Sequence, residues 1–315
     1  MQVTVTGGTG QIAEFVIKEL EKRKHSIVLF DRIQPGANRF QYEINHPLVL
    51  GDLANLEDCE RAVGGSQGII HLGGIPHPTD HPEIVRRYVS QGRTPYAWDE
   101  TMRSNTMGTF YLLEAAKRAG VKAIVIASSN CVLGHLFRLS AKPFPISYLP
   151  VDETHPLDFE DSYSLSKLVN EETLLAYCRA YGIRGYALRP AGVWRAEIQT
   201  EHVKSYQPPT TWQDSLFAYV DIRDMARAFV MCLEAADSLP PFDAYYVNAS
   251  DTRELEDSRS LVERLRPDLA VLAAGLVGRQ ALISPAKAEK AFGFRAEYSW
   301  TDLLRNSSAD DRPIG

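Results

Sequence analysis

Val3-Thr4-Val5-Thr6-Gly7-Gly8-Thr9-Gly10-Gln11-Ile12-Ala13 joins a short apolar run, a glycine cluster and the start of an amphipathic segment. That order predicts a strand over Val3 to Thr6, a tight turn, and a helix over Ile12 to Lys22. Gly7 and Gly10 let the backbone turn sharply and bring the amides of Gln11 and Ile12, at the helix N-terminus, towards a pyrophosphate. Ala13 is small enough for the helix to pack closely on the strand. A second apolar run, Ile27 to Phe30, ends at Asp31, where a carboxylate would accept from the ribose hydroxyls and repel a 2′-phosphate. Strand, glycine turn, helix and acid together imply NAD as cofactor, and Arg32 is the neighbour that pulls towards NADP.

Outward from this unit, apolar runs at Leu48 to Leu50, Gly68 to Leu72, Ala123 to Ala127 and Arg184 to Leu188 alternate with helical patterns. Thr106 to Ala119 and Ser164 to Tyr181 carry apolar residues at helical spacing, and each is followed by a glycine, Gly120 and Gly182, placed as a C-terminal cap. The alternation predicts an α/β fold, a Rossmann-type doubly wound parallel sheet with a small C-terminal substrate lobe. The rhythm lapses from about Trp194 to Thr211, and again after Val247 until a helix opens at Ser284-Pro285. Residues 1–190, with a returning segment at about 216–248, are therefore expected to form the NAD-binding domain. The stretches at about 191–215 and 249–315 are expected to form the substrate lobe. The connection Ile75 to Arg103 is long for its place and either covers the substrate or decorates the surface.

The chain has 315 residues and a formal net charge of -6, which gives nucleic acid or an anionic membrane no electrostatic hold. A small molecule is the expected partner. The four cysteines, Cys59, Cys131, Cys178 and Cys232, lie far apart, so they read as reduced thiols rather than a disulfide framework or zinc site. His77 and His81 have helical spacing, yet each precedes a proline, which favours a loop over a metal-binding helix face; no metal is expected. The strand pattern begins at once, and no stretch reaches the roughly 18 apolar residues of a membrane span. A cytoplasmic protein is expected.

Tyr163-Ser164-Leu165-Ser166-Lys167 places a phenol and an ammonium four residues apart on one helical face. A lysine cation beside a phenol lowers its pKa, so that the tyrosine can exchange a proton with a substrate oxygen. With 14 tyrosines in the chain the spacing alone means little, so its placement carries the weight. The pair follows Ala127-Ser128-Ser129-Asn130 and precedes a strand ending at Arg189-Pro190, and active-site groups in an open parallel sheet gather at such strand ends.

These residues resemble the extended short-chain dehydrogenase/reductase family, also described as NAD-dependent epimerase/dehydratase, along nearly the whole chain. Further matching pieces are Asp52-Leu53, His71-Leu72-Gly73-Gly74, Asn105-Thr106-Met107-Gly108-Thr109, Tyr219-Val220-Asp221, Asp224-Met225-Ala226 and Phe292-Gly293-Phe294. The resemblance implies that Ser129, five residues before Gly134, orients the substrate oxygen, that Tyr163 is the acid/base, and that Lys167 contacts the nicotinamide ribose. It also implies that Asp52 and Leu53 flank the adenine, and that Leu72, Gly73, Gly74, Asn105 and Pro190 complete the cofactor wall. A homodimer built from the helices near Thr106 and Ser164 is implied too.

Nucleotide-sugar enzymes of this family generally carry a long insertion after the Arg-Pro strand, whereas about 25 residues separate Trp194 from Tyr219 here. With Ala127 to Asn130 and Gly73-Gly74, this is similar to uronate dehydrogenases, and it implies oxidation of a sugar, sugar acid or similar polyol. Ile75, Pro76, Asn130, Ala191 and Arg195 are then the candidate substrate residues. Pro76 stands where those enzymes have a serine, and Arg195 or Lys204 would have to hold a carboxylate. A nucleotide-sugar 4-epimerase or dehydratase, with no net NADH, and a non-catalytic dinucleotide-binding regulator are the alternatives.

Overall fold

The computed structural model describes residues 1–34, 42–140 and 142–304. Its first half runs β1 (Gln2–Thr6), α1 (Gln11–Lys22), β2 (Ser26–Asp31), β3 (Leu48–Leu50), α2 (Leu56–Val63), β4 (Gly68–His71), α3 (Pro82–Ser90), α4 (Glu100–Met102), α5 (Gly108–Ala119), β5 (Ala123–Ala127), α6 (Ser162–Tyr181) and β6 (Arg184–Pro190). Then follow β7 (Gly192–Trp194), α7 (Ala196–Ser205), β8 (Tyr219–Asp221), α8 (Ile222–Glu234), β9 (Phe242–Val247), α9 (Ser258–Leu265), α10 (Ala270–Ala273) and α11 (Ala286–Phe292). Seven strands form one sheet in the order β3-β2-β1-β4-β5-β6-β9, and the pairings from β3 through β6 are parallel.

Strands covered on both faces must be apolar on both faces. Val3, Val5, Ile69, Ile70, Ile124 and Val125 are accordingly all fully buried. The strand order reverses between β1 and β4, the place where connections leave in opposite directions and open a crevice at the carboxyl ends. Thr6 lies beside His71 and His71 beside Ile126, so β1, β4 and β5 end nearly level.

The helices follow from their own signals. Asn55 caps α2 by accepting from the amides of Glu57 and Asp58, and Asp161 caps α6 by accepting from Ser164. Gly120 and Gly182 end α5 and α6 in the left-handed conformation, at φ 72° and 69°. One core cluster joins Phe30, Cys59 and Ile69 to Leu112, Leu113, Ile124, Leu174 and Ile183. Each such aliphatic side chain contributes about 1.5–3 kcal/mol by leaving water. All four cysteines are buried and unpaired.

The chain divides into two compact units, 1–143 with 157–189 and 226–245, and 144–156 with 190–225 and 246–315. The second unit thus takes in three stretches that the patterning assigns to the NAD-binding domain, and pairing explains each. Val151 bridges to Ile283, β8 pairs with β7 rather than with the large sheet, and Asn248 Nδ2 donates to Ile283 O at 2.8 Å. Asp224 ties the end of this stretch to the amides of Glu297 and Tyr298, at 3.0 Å. Residues 305–315 of the expected lobe lie outside the described residues.

The two stretches expected to be irregular contain helices. In α7 only Gln199 is buried, so the helix carries no apolar stripe to read; it is held instead by His202, which packs on Trp194 and Trp300 with ring centroids 4.9 and 4.6 Å apart. Asp257 caps α9 by accepting from the amides of Arg259 and Ser260, and the helix buries Leu261 and Val262. The helix expected to open at Ser284-Pro285 starts one residue late, at Ala286, with Pro285 as its cap. The helix expected from Thr106 begins instead at Gly108, after a π-type turn over Arg103–Met107. Among the described residues no helix is long and apolar enough to cross a membrane.

The helix that carries Tyr163 and Lys167 is seated by a close approach: a Cβ placed on Gly185 would lie 2.5 Å from Cys178 Sγ and 2.6 Å from Leu174 Cγ. Gly185→Ala should therefore push α6 off β6 and cost about 1–3 kcal/mol of stability, the usual cost of overpacking, measured by urea denaturation.

Candidate active site

The glycine turn and the wall facing it are built from backbone. Gly7 has φ +65°, and a Cβ there would meet Gly73 N at 2.9 Å. At Gly73 a Cβ would come within 2.5 Å of Leu53 Cδ1. Gly8 N donates to Phe30 O and Gly10 N to Gly7 O, at 3.1 and 2.8 Å, and Tyr42 donates its hydroxyl proton to Gly8 O. Gly10 caps α1 without any side chain, so the first-turn amides of a 12-residue helix are left for an incoming anion. A cradle that side chains would fill, at a helix N-terminus, fits a dinucleotide pyrophosphate.

Asp31 Oδ2 accepts from Thr9 N and Thr9 Oγ1 at 3.0 and 2.8 Å, and Oδ1 accepts from Ile33 N at 3.0 Å. The carboxylate is thereby fixed, and Oδ1 keeps a lone pair for a ribose hydroxyl. Arg32 points to Glu100, with Nη1 3.6 Å from Oε1. Asp52 Oδ1 accepts from Ala54 N at 2.9 Å and shapes the turn that presents Leu53.

Beneath Gly73 a buried relay joins β1, β4 and α5. Gly73 N donates to Thr6 Oγ1 (3.1 Å), which lies 2.6 Å from His71 Nδ1, while His71 Nε2 lies 3.0 Å from Thr109 Oγ1. Burial, with the Lys167 charge adding to it, pushes His71 down to about 3, so it is a neutral linker rather than a proton donor. Asn105 faces the same wall: its Oδ1 accepts from Ile75 N at 2.7 Å, and its Nδ2 donates to Ile75 O and Ser166 Oγ at 3.0 and 3.1 Å. The π-type turn is what aims this side chain inward, away from its own helix.

At the carboxyl end of β5, Ser129, Tyr163 and Lys167 come together, 6%, 8% and 7% exposed. Ser129 Oγ accepts from Cys131 N at 3.1 Å, and its hydroxyl acts on the Tyr163 phenol, lowering it. Burial pushes the Tyr163 phenol up from its ordinary value, against the lowering by Ser129. This corrects the expectation that Lys167 sets the phenol low. The ammonium sits 5.5 Å from the ring centroid and donates to Ala127 O at 2.7 Å. Burial in turn drops Lys167 to about 8.

A buried ion pair underlies the site. Arg189 Nε and Nη2 donate to Glu171 Oε1 and Oε2 at 2.9 and 2.7 Å, and Ser128 Oγ donates to Glu171 Oε1. The sequence reading missed Glu171, although it stands four residues after Lys167 on the same helical face. It also missed Phe137, a left-handed residue at φ 55° whose ring meets Tyr163 edge-on at 6.0 Å. Its loop is held by Arg138, which donates to Gly134 O, Asp158 O and Lys142 O, at 2.9, 2.7 and 2.9 Å.

The remaining candidates are placed as follows. Asn130 is buried, with Nδ2 3.3 Å from His135 Nε2. Ile75 is buried and Pro76 exposed. Pro190 ends β6; Ala191 N donates to Val247 O at 3.2 Å, and Arg195 caps α7 with Nε 3.6 Å from Glu197. His77 lies in a loop, whereas His81 is the N-cap of α3, its Nδ1 accepting from Glu83 N at 3.3 Å. Burial pushes the Cys131 and Cys59 thiols to about 12 and Cys178 to about 11, and raises Cys232.

A model of the NAD dependent epimerase/dehydratase family matches residues 3–248. A 3-beta-hydroxysteroid dehydrogenase of Mycolicibacterium neoaurum is 28% identical over 211 residues, 65% of this chain and 51% of that protein. A uronate dehydrogenase of Pseudomonas syringae pv. tomato is 26% identical over 188 residues, 60% of this chain and 58% of that one. The chain thus spans between half and three-fifths of the length of these two curated relatives. The UDP-glucose 4-epimerase of Thermus thermophilus, solved with NAD, shares the fold at a TM-score of 0.66 and 21% identity, covering 100% of both chains.

Glu171→Ala should leave the Arg189 guanidinium buried without its carboxylate and cost about 3–5 kcal/mol in denaturant unfolding. Lys167 carries a pH signature. The unfolded chain holds its proton to 10.5 and the folded chain only to about 8. Between those values the unfolded state binds more protons, so this residue's share of stability rises with pH, and below about 8 the full penalty remains. Lys167→Met removes that dependence: its stability relative to the unaltered protein should fall between about pH 8 and 10.5, as read by denaturation at each pH.

Proposed function

Because the chain belongs to the NAD dependent epimerase/dehydratase family, we propose that this NAD-dependent enzyme is a dehydrogenase of a sugar, sugar acid or similar polyol. The observation that carries the reading is the meeting of Ser129, Tyr163 and Lys167 at the end of β5, where the Ser129 hydroxyl lowers the phenol and the Lys167 ammonium lies 5.5 Å from its ring centroid. The short spacer after β6 supports a small substrate over a nucleotide sugar, and the uronate dehydrogenase relative supports an acid sugar.

Held by the glycine turn and Asp31, NAD would supply the hydride acceptor for the substrate's carbinol carbon. Ser129 holds the substrate oxygen against the Tyr163 phenol, and the hydroxyl proton passes to Tyr163 as the C–O bond becomes a carbonyl. Burial opposes the phenolate, and the Ser129 hydroxyl offsets part of that cost. The Phe137 ring offers an apolar edge to the C–H face of a sugar beside the reacting carbon. The enzyme works in the cytoplasm as a homodimer joined through α5 and α6, whose Phe110, Leu165 and Tyr181 are exposed.

A steroid reading is favoured by the 3-beta-hydroxysteroid dehydrogenase relative, and an epimerase reading by a putative UDP-glucose 4-epimerase of Methanocaldococcus jannaschii, 26% identical over 200 residues. Free aldoses, uronates, UDP- and dTDP-sugars and a 3β-hydroxysteroid, each assayed for NADH and for product epimers, separate these. Stoichiometric NADH from a free sugar or uronate is the expected result. Epimers at constant NADH, or NADH from the steroid alone, would overturn the reading, and no turnover on any of them would point to a regulator. Tyr163→Phe should leave NAD affinity nearly unchanged while turnover falls about 100-fold or more, by titration and steady-state kinetics.

A further inference from the structure

The sequence sets two residues against each other at the end of β2: Asp31 repels a 2′-phosphate, and Arg32 is a cation that would welcome one. The structure supplies a third group. Glu100, on α4 of the long connection after β4, has a side chain only 7% exposed, 3.6 Å from Arg32. Its Oε1 also accepts from Ser104 Oγ at 3.1 Å, and its Oε2 from Arg103 Nη2. The two arginines are 42% and 59% exposed, so the carboxylate is the fixed member and the cations come to it.

Its backbone is fixed as well. Thr101 Oγ1 donates to His77 O at 2.8 Å and accepts from Thr79 N at 3.0 Å. The π-type turn that starts at Arg103 carries Asn105, whose side chain grips Ile75. Glu100 is thus mounted on the same rigid stretch that forms the cofactor wall. Burial would raise its carboxyl, but the bonds from Arg103 and Ser104 and the Arg32 charge bring it below the usual range, so it stays ionised at neutral pH. At 3.6 Å Arg32 is attracted by charge without a formed hydrogen bond, and it is held only while that charge is present.

We propose that Glu100 is the residue that holds this enzyme to NAD, by drawing Arg32 away from an incoming 2′-phosphate and setting a fixed negative charge beside it. The proposal rests on the assignment of NAD to the glycine cradle. It makes Glu100 a positioning residue, acting through Arg32 rather than through contact with the cofactor.

The test uses NADH and NADPH, which differ only in the 2′-phosphate, and reads their dissociation constants by fluorescence titration of the full chain. Glu100→Gln should tighten NADPH by about tenfold or more while NADH changes less than about twofold, and adding Arg32→Ala should abolish the gain. Arg32→Ala alone should leave both constants within about twofold, because Arg32 is withheld in the unaltered protein. An unchanged NADPH to NADH ratio in Glu100→Gln would overturn the proposal. So would Arg32→Ala alone weakening NADPH by about tenfold, since Arg32 would then already serve the phosphate; that arm decides the matter even if Glu100→Gln fails to fold. Failure of the unaltered chain to bind NADH would overturn the cofactor assignment, and this proposal with it.

Discussion

The placement of Ser129 and Lys167 depends on one buried ion pair, Glu171 with Arg189. Two parallel bonds lock a carboxylate on α6 to a guanidinium on β6, and the hydroxyl of Ser128, at the end of β5, joins the same carboxylate. Three elements therefore meet at a point where none can slide without stranding a charge out of water. Ser129 leaves β5 one residue beyond that point, and Lys167 leaves α6 one turn before it. Such a pair adds little net stability against an apolar alternative, but it fixes one arrangement of the strand ends.

The cofactor side uses a different device. Gly7 and Gly73 lie too close for any side chain between them, and the relay from Gly73 N through Thr6, His71 and Thr109 holds that approach with neutral groups. A charged His71 would place a second cation near Lys167, and burial prevents it. One half of the site is thus set by charge and the other by backbone proximity. Asn105 connects them, since it reaches both Ile75 and Ser166.

Much of this was legible in the residues. The strand, glycine turn and helix at the start, Asp31 after β2, and the caps at Gly120 and Gly182 are local signals, each decided within a few positions of sequence. What stayed hidden is set by distance in sequence. Glu171 pairs with Arg189 across 18 residues, and Glu100 pairs with Arg32 only because the connection after β4 folds back. The phenol is governed by burial, which a Tyr-x-x-x-Lys spacing cannot report. Helix α7 was missed because a single glutamine is its buried residue. The second unit claimed 144–156 because Val151 bridges to Ile283, a pairing that no local pattern announces.

The four buried cysteines give the enzyme a chemical character of its own. Burial holds every thiol protonated at neutral pH, and oxidants and electrophiles react with the thiolate. Cys131, two residues from Ser129, is protected in this way at the place where its modification would do most harm. With all four thiols buried and protonated, none offers a ready thiolate to peroxide or to a disulfide partner, so oxidant chemistry has no foothold beside Ser129.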